Sequence, residues 1–270
     1  MIGAQTKMKE WKLIVEKTHL AGSLNMAIDD FLIQSLGEKP QTYLRFYQWE
    51  RPTISLGYSQ SVAKVVDVEY CQNHGIDIVR RMTGGKLVLH QNEVTYSVCS
   101  SDKETFTPTL LESYQLISEA LMKGLEKMGL EPFLADAPPD SYVRGNLPCF
   151  SYPAQNEIEV NGKKIVGSAQ KRIGSKFIQH GSIPLEEDEN LLKSVSLAKG
   201  RESDVRMTSI SRELGRKVSF EWAVNHLIEG ISEYFRIRME PKTFDEEEEK
   251  EIFRIQKERY ATKDWTYFRI

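Results

Sequence analysis

The chain has 270 residues, 40% of them hydrophobic, and a formal net charge of −3. This length and apolar content suit one large domain or one domain with a small appendage, and the near-balanced charge excludes a global field for nucleic acid or membrane. No apolar run reaches the roughly 18 residues of a membrane span, and the polar stretch Met1 to Lys12 lacks a signal-peptide core. Three cysteines, Cys71, Cys99 and Cys149, are odd in number and far apart. That pattern argues against a disulfide framework and for a reducing, cytoplasmic setting. No Cys/His spacing resembles a zinc site, so neither metal nor cofactor is expected.

In chain order, Trp11 to Val15 alternates as a strand. Ser23 offers an N-cap for a helix with Leu24, Ala27, Ile28 and Phe31 on one face and Gly37 as its stop. Thr42 to Trp49 is an aromatic-rich strand, broken at Arg51-Pro52 before a second strand from Thr53 to Tyr58. Asp67 to Asn73 reads as a short helix stopped by His74-Gly75, and Ile76 to Arg81 as a strand. Leu87 to His90 and Val94 to Cys99 are expected to pair as a hairpin. Leu110, Tyr114, Ile117, Leu121, Leu125 and Met128 recur at helical spacing, with Gly129 at the stop. Residues 132 to 148 form a long proline-bearing loop of the kind that is usually functional.

Asn161-Gly162 lies between two alternating apolar runs, the strongest short-range hairpin signal. The hairpin runs from Glu157 to Val160 and returns from Lys163 to Gln170, followed by a strand from Phe177 to Leu185. Glu186 to Ser203 reads as a polar surface excursion. Thr208 to Leu214, a Ser219-capped helix, and a helix from Glu246 to Tyr260 with an Asp245/Glu248 capping box follow. The fold class is α+β, with a mixed, largely antiparallel β-sheet flanked by helices. Residues 1–270 are read as one catalytic domain, with 204–270 a C-terminal helical extension.

Chemistry-bearing residues cluster around this hairpin. Cys149 sits in a loop between Pro148 and Phe150, where no helix or strand packing calls for it. Cys71 and Cys99 read as buried packing residues. Lys163 and Lys164 point to opposite faces of the strand, so one can turn inward. Gly167-Ser168-Ala169 leaves room for a ligand close to the backbone. Thr83-Gly84-Gly85 makes a tight turn behind Arg80 and Arg81, two arginines that are costly if buried without partners. His90 and His180 by themselves read as strand-end hydrogen bonders.

Lys164-Ile165-Val166-Gly167-Ser168-Ala169-Gln170 followed by His180-Gly181-Ser182-Ile183 resembles the catalytic core of the biotin/lipoate protein ligase and octanoyltransferase superfamily. Arg80-Arg81-Met82-Thr83-Gly84-Gly85-Lys86 through His90 resembles its acyl-binding loop. With a cysteine at Cys149, the chain looks like the Gram-positive type of octanoyl-carrier-protein:protein octanoyltransferase. The resemblance implies Cys149 and Lys164 as catalytic residues, with the lysine's charge favouring the reactive thiolate. It implies Arg81, Thr83, Gly84, Gly85, Lys86, His90, Gly167, Ser168, Ala169 and His180 as substrate-binding residues. The expected donor is octanoyl acyl carrier protein. The expected acceptors are lipoyl-domain proteins, such as the glycine cleavage H protein or E2 subunits.

The mouth of the acyl tunnel is expected at Thr83, Gly84 and Gly85. Local basic residues, Arg81, Lys86, Lys171, Arg172 and Lys176, are the expected docking ground for an acidic carrier. One departure bears on mechanism. ATP-using members of the superfamily carry a third glycine where this chain has Lys86, which disfavours close approach of a nucleotide phosphate. An ATP-dependent lipoate–protein ligase, an amidotransferase between lipoyl domains and a non-catalytic acyl-carrier-binding protein are the alternatives.

Overall fold

The computed structural model describes residues 8–106, 109–135, 157–197 and 207–268. Its larger sheet has eight strands among the described residues: β1 (Lys9–Val15), β2 (Thr42–Tyr47), β6 (Glu93–Ser100), β7 (Phe133–Leu134), β8 (Ile158–Val160), β9 (Lys163–Ile173), β10 (Lys176–Pro184) and β11 (Ile237–Pro241), ordered β11-β1-β2-β6-β10-β9-β8-β7. A smaller sheet holds β3 (Thr53–Leu56), β4 (Asp77–Arg80) and β5 (Val88–His90), ordered β4-β3-β5. Pairings of β1 with β2, β1 with β11 and β3 with β4 are parallel; the others are antiparallel. The mixed, antiparallel-dominated sheet read from the sequence is therefore present.

Helices cover both faces of the large sheet. Leu44 and Phe46 of β2 and Val94, Tyr96 and Val98 of β6 share one core with Ile117, Leu121 and Leu125 of α4 (Leu110–Lys127). Val224, Leu227 and Ile231 of α7 (Phe220–Phe235) join the same core. On the opposite face, Tyr43, Tyr47, Cys99 and Ile178 pack with α1 (Gly22–Ser35) and with Ile252 and Ile255 of α8 (Glu246–Ile255). Alternation along β2 and β6 thus feeds two cores at once, which is why both strands are buried along their whole length.

The cap chemistry is mostly as the sequence indicates. Thr109 starts α4 by accepting from Glu112 N, Ser219 starts α7 by accepting from Trp222 N, and Asp245 with Glu248 forms the capping box of α8. The Asn161-Gly162 turn joins β8 to β9 with φ of 51° and 71°, a conformation that favours those two residue types. After α8, a π-helical turn spans Gln256–Tyr260, and α9 (Lys263–Tyr267) closes the described chain.

Three local expectations fail. β5 does not pair with β6: both edges of β6 are taken, by β2 and β10, so β5 pairs antiparallel with β3 instead. Asn92, with φ of 48°, turns the chain between the two sheets. Ser23 is not an N-cap: α1 begins at Gly22 after Ala21, and Ser23 Oγ accepts from Gln256 Nε2 at 2.9 Å. At the start of this helix Gly22 packs so tightly that a Cβ would lie 2.9 Å from Thr53 Cγ2. Residues 186–197 are not merely a surface excursion: α5 (Glu189–Val195) buries Leu192 and Val195 against Ile54, Leu56 and Val88 of the small sheet. A short α6 (Ile210–Leu214) follows before α7.

α4 and α7 cross where two glycines meet. A Cβ on Gly230 would lie 2.2 Å from Gly124 N, and one on Gly124 would lie 2.8 Å from Leu227 Cα. Gly230→Val is expected to lower stability by about 1–3 kcal/mol, since backbone blocks relief of the overlap. Gly37→Ala, which meets nothing within 4 Å, is expected to change it by less than about 0.5 kcal/mol. Urea midpoints measure both, and equal midpoints would contradict the close crossing.

Candidate active site

A narrow cavity of about 20 Å³ lies between the two sheets and against α1, well below the roughly 300–1,000 Å³ typical of ligand pockets, so a ligand there requires its walls to part. Its apolar wall comes from Met26, Tyr47, Trp49, Val88 and Ala169. Gly167 and Gly181 keep the β9–β10 side open. A Cβ on Gly181 would lie 2.6 Å from the Tyr96 ring and 2.7 Å from Gly167 O. The polar lining is Ser55, Arg81, His90, Thr95, Ser168, His180 and Ser182.

Two buried carboxylates organise those polar groups. Asp29 of α1 accepts from Arg45 Nη1 (3.2 Å), Tyr47 Oη (3.2 Å), Ser97 Oγ (2.8 Å) and His180 Nδ1 (3.0 Å). Burial alone would raise its pKa, but the His180 hydrogen bond and the Arg45 charge reverse that and hold it below the usual carboxylate value. His180 is lowered as well, for a different reason: its complete burial, with Arg81 nearby, outweighs Asp29. The imidazole is therefore neutral at pH 7. Its Nδ1–H donates to Asp29, so Nε2 accepts from Thr83 Oγ1 at 2.6 Å.

Glu93 is the second hub. It accepts from His90 Nδ1 at 2.7 Å and from the hydroxyls of Thr95 and Ser182. Thr95 Oγ1 accepts in turn from Trp49 Nε1 at 2.7 Å, and the Trp49 and His90 rings stack with centroids 4.0 Å apart. Ser55 Oγ lies 2.7 Å from His90 Nε2 and accepts from Arg81 Nη1 at 3.0 Å. The polar groups of the lining are thus largely engaged with protein, beside an apolar wall.

Of the residues singled out by sequence, the structure brings Arg81, His90, Gly167, Ser168, Ala169 and His180 onto this one cavity. Ser168 Oγ lies 2.7 Å from Tyr96 Oη, a phenol that burial pushes to about 12. Thr83 touches the site through His180. Gly84, Gly85 and Lys86 are not among the lining residues: a Cβ on Gly84 would face open space, and the Gly84 and Lys86 carbonyls accept from Arg81 Nη2 at 2.9 and 2.7 Å.

Lys164 is fully buried and Lys163 exposed, as alternation requires. Lys164 Nζ lies 2.7 Å from Glu157 Oε2, away from the cavity lining. Cys149 lies outside the described residues. The expected docking cations separate: Arg81 is buried, Arg172 Nη2 bonds Thr109 O and Ser113 Oγ, and Lys176 bonds Leu36 O. Lys171 Nζ lies 5.3 Å from the centre of the Tyr58 ring.

The sequence reading missed Asp29, Glu93, Arg45 and Glu157. A signal for the first existed: Asn25 and Asp29 recur at four-residue spacing along one face of α1, and Arg45 sits in the middle of an aromatic strand. A charge buried in a central strand requires an opposite charge facing it.

The His180–Asp29 pair makes stability fall on acidification. His180 has a folded pKa below the ordinary histidine value of 6.5, so its contribution is present above 6.5 and lost as pH falls. Asp29, also depressed, adds a second loss below 3.8. The urea midpoint is expected to drop between pH 7.5 and 5.5 in the native protein, and the drop is expected to shrink in His180→Gln. An identical pH dependence in the two proteins would show that His180 is not held neutral.

The Lipoyl protein ligase A/B catalytic domain model matches residues 22–232. An octanoyltransferase LipM from Oceanobacillus iheyensis is 37% identical over 265 residues, covering 94% of this chain and 96% of that protein. One from Kyrpidia tusciae is 38% identical over 275 residues, covering 96% and 99%. Among solved structures, lipoate-protein ligase A bound with ATP superposes with a TM-score of 0.83 at 24% identity, covering 97% of this chain and 100% of that one. A bipartite lipoate protein ligase described with its E2 lipoyl domain from Thermoplasma acidophilum gives 0.81 at 22%, covering 97% and 98%. At those identities the structural likeness speaks for the fold. From the catalytic-domain match and the near-full-length identities, the chain belongs to the lipoyl protein ligase A/B catalytic domain family.

Proposed function

We infer that this protein transfers an octanoyl group from octanoyl acyl carrier protein, through a thioester on Cys149, to a lysine of a lipoyl-domain protein. The observation that carries this reading is identity above 30% along nearly the whole chain to proteins named octanoyltransferase. The chain is an acyltransferase with a lipoate-ligase fold. In the proposed first step, Cys149 Sγ attacks the carrier thioester, a new C–S bond forms, and the carrier thiol leaves. In the second, the lipoyl-domain lysine attacks, an amide forms, and the Cys149 thiol is regenerated. Thioester-to-thioester exchange is nearly isoenergetic and thioester to amide is downhill, so no nucleotide is required.

Several features support this assignment. Met26, Tyr47, Trp49, Val88 and Ala169 give the cavity an apolar wall against which an acyl chain can lie once the pocket opens. Burial pushes the Cys71 thiol to about 11 and the Cys99 thiol well above its ordinary value, so both stay protonated at pH 7. Lys164 is assigned to the reacting region as a cation, with Glu157 compensating its burial and fixing its direction. Residues 1–270 are read as one catalytic unit with 204–270 as its extension, supported by α7 sharing a core with β2, β6 and α4. No described helix is long and apolar enough to cross a membrane; a cytoplasmic location is part of the proposal.

Intact mass tests the chemistry. Protein incubated with octanoyl carrier protein and no ATP is expected to gain one hydroxylamine-sensitive octanoyl group. Cys149→Ser is expected to lose transfer by several orders of magnitude, whereas Cys71→Ser and Cys99→Ser transfer normally. Strict ATP dependence with an active Cys149→Ser would replace this reading with the ligase one.

Lys164→Ala leaves Glu157 charged and buried, so a loss of about 3–5 kcal/mol of stability is expected along with slower transfer. Lys164→Met combined with Glu157→Met is expected to recover stability but not activity. Lys163→Ala is expected to behave like the native protein. Urea midpoints and octanoyl transfer rates check each variant, and full activity in the double variant would remove Lys164 from the chemistry.

A further inference from the structure

Two successive arginines leave β4 and bind backbone carbonyls of different segments. Arg81 holds Ser55 O, Gly84 O and Lys86 O. Arg80, fully buried, reaches the other way. Its Nη1 donates to Gly57 O (2.9 Å), Tyr58 O (3.1 Å) and Gln60 O (2.7 Å), while Nε and Nη2 donate to Thr266 O at 3.0 and 2.8 Å. The C-terminal segment answers: Trp265 Nε1 donates to Arg80 O at 2.9 Å, and the Phe268 ring lies 4.8 Å from the guanidinium carbon. Only the planar fork of arginine spans both segments at once; a lysine ammonium is a single point.

The turn held by Arg80 touches the loop beside the cavity, backbone against backbone. A Cβ on Gly57 would lie 2.0 Å from Gly85 O, and Tyr58 N donates to Thr83 O at 2.8 Å. Thr83 Oγ1 in turn meets His180 Nε2. A continuous path of bonds and contacts therefore runs from α9 through Arg80 to the 57–60 turn, to Thr83–Gly85, and to His180 at the cavity.

We propose that Trp265 and Arg80 are positioning residues: the C-terminal helix holds the Thr83–Gly85 loop in its substrate-ready place from the outside, as Arg81 does from the inside. Neither side chain is assigned contact with the substrate. Losing the outer hold frees the loop to shift away from His180, which weakens binding of the acyl donor and leaves the cysteine chemistry alone. The kinetic readout rests on the octanoyl-transfer reading above; the structural readout does not.

The experiment measures steady-state kinetics and amide hydrogen exchange in Trp265→Phe, Trp265→Ala and Arg80→Lys. Expected is a KM for octanoyl carrier protein raised on the order of tenfold with kcat nearly unchanged, the pattern of lost binding rather than lost chemistry. Exchange in the 57–60 turn and the 83–87 loop is expected to accelerate, while β6 and β10 keep native protection. Trp265→Phe keeps the ring and removes only the N–H donor, so it serves if the other two fold poorly. Native loop exchange in a folded variant would overturn the proposal, as would loosening spread evenly over β6, β10 and the loop. If the native protein transfers no octanoyl group, the functional reading fails, and the exchange data alone decide the latch.

Discussion

The site depends on one buried carboxylate. Asp29 is 1% exposed and lies on a helix, yet its four donors come from three neighbouring strands of the large sheet: Arg45 and Tyr47 from β2, Ser97 from β6 and His180 from β10. A charge so placed is tolerable only when each lone pair has a donor. The same requirement fixes the height and rotation of α1 on the sheet, and through His180 it fixes the hydroxyl of Thr83. Arg45 completes the balance by binding Asn25 and Glu16 as well.

The cavity follows from a change of sheet. Had Leu87–His90 paired with Val94–Cys99, His90 and Glu93 would lie along one ladder. Because β6 is saturated on both edges, the chain turns at Asn92 and β5 joins the small sheet. His90 and Glu93 then face each other across the junction, bonded at 2.7 Å, and the space between the sheets is left for a ligand. Fully engaged polar networks at a site for an apolar chain have a physical sense: polar atoms satisfied by protein do not need water, so the cavity need not be wet to be stable.

Much of the architecture was legible locally. The Asn161-Gly162 turn, the Ser219 cap and the Asp245/Glu248 box rest on short-range rules and appear as expected; alternation turned one of Lys163 and Lys164 inward, and the motif resemblance chose Lys164. The resemblance of two short blocks pointed to residues that meet at one cavity although they lie far apart in the chain, as Thr83 and His180, 97 positions apart, do. Ser23 and the 186–197 segment were misread for one reason. Each is decided by a partner distant in sequence, Gln256 for Ser23 and the small sheet for Leu192 and Val195.

What the sequence alone determined is therefore many of the elements, the fold class, the family and several of the residues around the site. These follow from periodicity, caps, turns and motif blocks, all of which act within a few residues. Only the tertiary structure decided which carboxylate faces which base: Asp29 with His180, Glu93 with His90, Glu157 with Lys164. It also decided that Arg80 answers to the C-terminal helix and Arg81 to the loop, although the two are neighbours in the chain. The physical reason is that pairing of buried charges is a long-range condition. Each ion must find its counterpart wherever packing brings one near, and neither spacing nor propensity records that meeting.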